Sequence, residues 1–139
     1  KEIALNFSET PICIEANTPA FENELINFAK SLSNTVVKMD SQQRAQLHIA
    51  AVFSCNFSNQ MFTIANDVLS NENIDFSILL PLIKQTVSKL EHNKPKTVQT
   101  GPAKRKDTLT INKHISSIKD EDTKAIYKLI SNHIIKTHE

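Results

Sequence analysis

A single glycine, Gly101, stands in the 139 residues of this chain. A G-x-G-x-x-G dinucleotide loop or a G-x-x-x-x-G-K-[ST] phosphate loop needs several positions free of a Cβ. Neither can exist here. Collagen-like segments, glycine-rich linkers and glycine-hinged lids are excluded on the same ground. Many enzyme mechanisms are therefore ruled out before any motif is sought.

The length fits one domain able to bury a core, and 40% of the residues are hydrophobic. Sixteen basic against 15 acidic residues leave a formal charge of +1, with no global pull toward nucleic acid or membrane. Two cysteines, Cys13 and Cys55, are too few for a disulfide framework and are expected as buried thiols. No C-x-x-C or H-E-x-x-H pattern occurs, so no metal site is expected. The longest stretch without Asp, Glu, Lys or Arg, Ala45 to Asn66, carries Gln46, Ser54, Asn56, Ser58, Asn59 and Gln60, too polar for a membrane span. No export signal opens the chain, and with reduced cysteines a cytoplasmic location is expected. The chain begins at Lys1 rather than Met, which suggests a fragment.

Pro11-Ile12-Cys13-Ile14-Glu15 has the composition of a short strand. Thr18-Pro19 then signals a helix start, with Thr as N-cap and Pro where its missing N–H costs nothing. Phe21, Leu25, Phe28, Ala29 and Leu32 follow at helical spacing. Thr35-Val36-Val37-Lys38-Met39 reads as a second strand, which makes a βαβ unit with parallel strands. A lone parallel pair is a poor end-point, so the unit is expected to continue a larger sheet or to pair with another chain.

Asp40-Ser41 caps the next element, with Gln43 placed for a capping box. From Gln42 to about Leu69 no Pro or Gly interrupts the helix, roughly 40 Å at 1.5 Å per residue. Its apolar residues surround nearly the whole circumference, which predicts a central helix buried on several sides. Ala50, Ala51, Ser54, Cys55 and Ser58 form a strip of small residues that allows close helix approach. A helix follows from Ile78 to about Glu91, kinked by Pro81 in its first turns. Residues 92–108 are polar and read as a long loop. Two further helices, about Leu109–Ile118 and from Asp120-Glu121-Asp122 to about Lys136, complete the chain. The expected fold is mainly α: an N-terminal βαβ unit, then a bundle of about four helices around one long central helix.

Few residues offer chemistry. Arg44, His48, Cys55 and Asn59 recur at four, seven and four residues and share one helix face, with Asn56 beside it. Buried amides must be hydrogen-bonded. Asn56 and Asn59 therefore either bond neighbouring backbone or another subunit, or line a small-molecule cleft. In the second candidate segment, Thr100 to Asp107, Gly101 before Pro102 suits an extended or positive-φ conformation. Arg105 has the geometry to grip a carboxylate or phosphate. Asp107 or Thr108 suits the N-cap of the following helix. Lys104-Arg105-Lys106 has no interleaved aromatics and reads as a solvated patch rather than a nucleic-acid contact. His114 reads as a surface histidine unless it meets His48 or a ligand. Glu22 and Glu24 fall on an exposed helix face, and no carboxylate pair or nucleophile elbow is present.

Leu47-His48-Ile49-Ala50-Ala51-Val52-Phe53-Ser54-Cys55-Asn56-Phe57-Ser58-Asn59, Leu80-Pro81-Leu82-Ile83, Thr100-Gly101-Pro102 with Arg105 and Asp107, and His114 come in that order and spacing. As a set they resemble the C-terminal helical domain of unknown function that follows a Rossmann-like domain in bacterial NADP-dependent oxidoreductases. The family is similar in architecture to the helical domains of 6-phosphogluconate dehydrogenase, ketopantoate reductase and pyrroline-5-carboxylate reductase. The resemblance implies that residues 1–40 would extend a Rossmann sheet, and that residues 41–139 form a helical substrate-binding and dimerisation domain. It implies substrate-binding roles for His48, Asn56, Asn59, Thr100, Gly101, Pro102, Arg105 and Asp107. The sequence departs from the family at Lys106, where members commonly have glycine. A Cβ there restricts the turn.

Together these features read as a C-terminal domain of an NAD(P)-dependent oxidoreductase without its nucleotide-binding domain. NADP or NAD is expected in the full-length protein and none on this fragment, which alone should be inactive. The expected partners are a second copy, in a homodimer, and a small-molecule substrate, with no nucleic acid and no membrane. The alternative is a non-enzymatic helical dimerisation or interaction module.

Overall fold

Short-range capping chemistry explains where most of the elements begin. The structure, a computed structural model, describes residues 6–139 and divides into two units, one ending at Met61 and one beginning at Phe62.

In the first unit a single 3-10 turn (Phe7–Glu9) leads into β1 (Ile12–Ile14), α1 (Pro19–Lys30) and β2 (Val36–Lys38). The strands pair in parallel, with Ile12 opposite Val36 and Ile14 opposite Lys38. Thr18 caps α1 by accepting from the Phe21 N–H, and Pro19 occupies the first turn. Ala29 and Ile14, 4% and 6% exposed, form the small apolar centre of this unit. Ser33 is the buried polar hub between α1 and β2: its hydroxyl donates to the Thr10 carbonyl at 2.6 Å and accepts from the Thr35 N–H at 3.0 Å. Glu22 departs from its expected exposed position. It is half-buried and pairs with Lys38 of β2 at 2.9 Å.

Asp40 and Gln43 form the expected capping box on α2 (Ser41–Ala51), each side chain accepting from the other's backbone N–H. The helical run is continuous but not uniform. A π turn, Val52–Asn56, separates α2 from α3 (Phe57–Ser70), and the Phe57 N–H donates to the Val52 carbonyl. This i→i+5 closure inserts one residue beyond the α repeat, so α3 is rotated by roughly 100° from its place in an unbroken helix.

The apolar circumference of the run is not buried as its sequence predicts. Ile49, Phe53 and Phe57 are 51%, 65% and 49% exposed. Phe53 and Phe57 stack edge-on at 5.1 Å and otherwise face outward. The two cysteines differ from expectation: Cys13, in β1, is only half-buried, and Cys55, in the π turn, is exposed.

In the second unit a loop over residues 71–75 leads to a 3-10 turn, Phe76–Leu79, and α4 (Leu80–Ser88). Pro81 lies in the first turn of α4, so it starts the helix rather than kinking it. A second 3-10 turn, Lys89–Glu91, extends α4, and the polar stretch beyond it contains one short helix, α5 (Pro95–Val98). Then come α6 (Thr108–Ser117), capped by Asp107, and α7 (Glu121–Thr137), capped by Asp120. Ala103, Ile111 and Ser131 are the buried residues here. The fold is mainly α with an N-terminal βαβ unit. Among the described residues no helix is long and apolar enough to cross a membrane.

Candidate functional site

The eight residues singled out in the sequence fall on two segments. His48, Asn56 and Asn59 lie on the long helical run, and all three are exposed. The π turn lies between His48 and Asn59. It swings Asn59 by about one residue step from the face a regular helix would give it. The straight stripe read from four-, seven- and four-residue spacing is therefore bent. Arg44, at the head of that stripe, is engaged: its guanidinium meets the Glu15 carboxylate and donates to the Met39 carbonyl and the Ser41 hydroxyl. Hydrogen bonds from Ser41, then Arg44, hold the Glu15 carboxyl below the usual carboxylate range.

Thr100, Gly101, Pro102, Arg105 and Asp107 lie on one tight turn between α5 and α6. The Arg105 N–H donates to Gly101 O, the Lys106 N–H to Ala103 O at 3.1 Å and the Asp107 N–H to Pro102 O at 3.0 Å. Buried Ala103 anchors the turn. Gly101 has φ +104°, and a Cβ built on it would meet nothing within 4 Å. Its lack of a side chain thus serves backbone conformation and not close approach. Lys106 has φ +55°, the left-handed region that glycine adopts without cost. The glycine that the resemblance leads one to expect at this position would hold that torsion without cost.

Asp107 caps the following helix. One carboxylate oxygen accepts from the Thr110 N–H at 3.0 Å and the other from the Thr110 hydroxyl at 2.7 Å. These bonds, helped by the charges of Arg105 and Lys113, hold its carboxyl below the usual range. Arg105 is exposed, and its charge acts on the Asp107 carboxyl.

The sequence pattern does not reveal two contacts of the second unit. His114 Nδ1 lies 2.8 Å from the Tyr127 hydroxyl, with the rings edge-on at 5.8 Å, joining α6 to α7. Lys104 Nζ lies 2.6 Å from His138 Nδ1 at the end of α7. Helical periodicity hints at the first pair, since Ile111, Ile115, Ile126 and Ile130 require these helices to face each other. Nothing in the sequence points to the second. A hollow of 270 Å³ between β1 and α1 and one of 420 Å³ around Asn73 and Phe76 are not lined by any candidate residue. Among the described residues no cluster of three His, Cys, Asp or Glu is placed to hold a metal.

Residues 10–134 match the domain of unknown function DUF2520. The chain belongs to this family. It is similar to the crystal structure of putative NADP oxidoreductase BF3122 from Bacteroides fragilis, with 41% identity and a TM-score of 0.89 over 95% of this chain and 51% of that one. Protein TM1727 from Thermotoga maritima shares the fold at 18% identity and a TM-score of 0.67, over 84% of this chain and 49% of that one. The chain thus spans about half the length of the solved structures it matches. No curated protein matches it significantly. It is a helical domain of the kind associated with such oxidoreductases.

The turn after β1 does not have the form of a dinucleotide loop. The turn after β1 runs through Glu15, Ala16, Asn17 and Thr18, each with a Cβ, into Pro19, which has no N–H to offer. The Thr18 hydroxyl occupies the Phe21 N–H. No pyrophosphate cradle is available there.

Proposed function

We propose that this chain is the substrate-binding and dimerisation domain of an NAD(P)-dependent oxidoreductase, with NADP or NAD held by another part of the full-length protein. The observation that carries the reading is the match to the Bacteroides fragilis protein, of which this chain covers 51% at 41% identity. The absence of a pyrophosphate cradle in the turn after β1 accords with a division of labour between two domains. His48, Asn56 and Asn59 on the helical run, and Thr100, Gly101, Pro102, Arg105 and Asp107 on the turn, are the proposed substrate contacts. In that scheme Arg105 supplies the charge-assisted donor and Asp107 holds the turn by capping α6. A cytoplasmic location and a homodimer belong to the same proposal.

The test is an NADPH titration of the full-length protein by fluorescence. Saturable binding supports the reading, and a flat titration overturns it.

A second reading, a non-enzymatic interaction module, draws on the exposed Phe53–Phe57 pair. Under it, His48→Ala and Asn59→Ala would weaken self-association and leave ligand binding unchanged. The oxidoreductase reading expects the reverse.

A further inference from the structure

Helix α4 carries an apolar stripe that the rest of its unit leaves largely open. Leu80, Ile83, Val87 and Leu90 follow at spacings of three, four and three, along α4 and the 3-10 turn that extends it. Ile83 is half-buried, whereas Leu80, Val87 and Leu90 are 44%, 59% and 45% exposed. α4 meets chiefly the 3-10 turns at its own two ends, while α6 and α7 pack on each other. Ala103 and Ile111 are the buried apolar residues of the second unit, which therefore has little core of its own. The chain presents 11237 Å² to solvent, whereas a closed monomer of 15.6 kDa presents about 7,200 Å². The excess of roughly 4,000 Å² is ample for an obligate homodimer, in which each copy gives up about 1,000–2,500 Å².

We propose that α4 is the centre of a two-fold interface between two copies of this chain, packed antiparallel on its own mate. The spacing three, four, three reads the same in both directions. An antiparallel mate therefore sets Leu80 against the partner's Leu90 and Ile83 against the partner's Val87, apolar on apolar along the whole stripe. A two-fold contact requires such self-complementarity, because each copy offers the same patch. Contact with any other surface does not require it. Gln85 and Lys89 fall on the opposite side of the helix and keep that side in water. This contact rests on the homodimer of the reading above and gives it a location.

The test is sedimentation velocity of the full-length protein and its variants from nanomolar to micromolar concentration. The wild-type protein sediments as a dimer in the micromolar range, and its thermal midpoint rises with concentration. Val87→Glu and Ile83→Lys each raise the dissociation constant by about tenfold or more, since each buries two unpaired charges in the contact. Mixing the two variants restores a dimer, because the introduced ammonium of one then faces the introduced carboxylate of the other. Recovery on mixing also shows that both variants fold. Leu90→Glu with Leu80→Lys repeats the experiment at the outer layer, where both wild-type residues are exposed. A protein monomeric throughout, or a dimer that Val87→Glu and Leu90→Glu leave intact, overturns the proposal. So do variants with native circular dichroism that fail to recover on mixing in both pairs. NADPH binding is read on the same samples. A monomer that binds NADPH sinks this contact and leaves the nucleotide reading standing, and a dimer that ignores NADPH does the reverse.

Discussion

Gly101 and Lys106 stand at the two ends of one turn, both with positive φ, at +104° and +55°. The first residue holds that torsion freely and the second under strain. Gly101→Ala places its Cβ in open space, so its cost is conformational: about 1–2 kcal/mol of stability. Lys106→Gly relieves the strain but adds freedom to the unfolded chain, for a net gain of roughly 0.5–1 kcal/mol. Denaturant unfolding of the two variants should therefore move the midpoint in opposite directions. A loss of stability in Lys106→Gly would show that the torsion carries no strain.

Asp107 caps α6 from the residue after Lys106. Its folded-state carboxyl is held below the usual range, chiefly by hydrogen bonds from Thr110. Such a group contributes stability above its unfolded pKa and loses that contribution as pH falls through the lower, folded value. Asp107→Ala lowers the melting temperature by several degrees at neutral pH. Asp107→Asn, which caps through its amide oxygen, preserves most of it and flattens the dependence below the ordinary carboxylate range. Thermal melts from acid to neutral pH distinguish the two.

Ser33 links the end of α1 to the start of β2 through one buried hydroxyl. Ser33→Ala removes the acceptor for the Thr35 N–H and the donor to the Thr10 carbonyl. Leaving these groups unpaired in a nearly dry site costs about 1–3 kcal/mol. Hydrogen exchange should show the loss first at the Ile12 amide, which donates to the Thr35 carbonyl.

His114 and Tyr127 couple α6 to α7 through a hydrogen bond and an edge-on ring contact. A double-mutant cycle with His114→Ala and Tyr127→Phe should give a coupling of about 0.5–1.5 kcal/mol. Additive losses would mean that the pair contributes nothing beyond each residue's own packing.

Phe53 and Phe57 expose an aromatic pair on the long helical run. If copies associate through this face, Phe53→Glu dissociates them in sedimentation while far-ultraviolet circular dichroism stays unchanged. Unaltered sedimentation would place the contact elsewhere.

The sequence by itself determined the parallel βαβ unit, the helical character of the chain beyond it and the caps at Thr18 and at Asp40 with Gln43, and it narrowed the cap of α6 to Asp107 or Thr108. These are local matters: a cap is a bond between residues two or three apart, and periodicity records which side of an element is apolar. The lone glycine was legible as a special torsion for the same reason. Its counterpart at Lys106 showed only as a departure from a family pattern. Tertiary structure decided the rest. The π turn has no Pro or Gly to announce it, and it rotates Asn59 relative to His48. Cys55 became exposed because a full apolar circumference tells that a helix can be covered without telling what covers it. Glu22 with Lys38, His114 with Tyr127 and Lys104 with His138 are brought together by chain reversal. The spacing of such partners along the chain carries no period, so only the folded backbone places them within a hydrogen bond's reach.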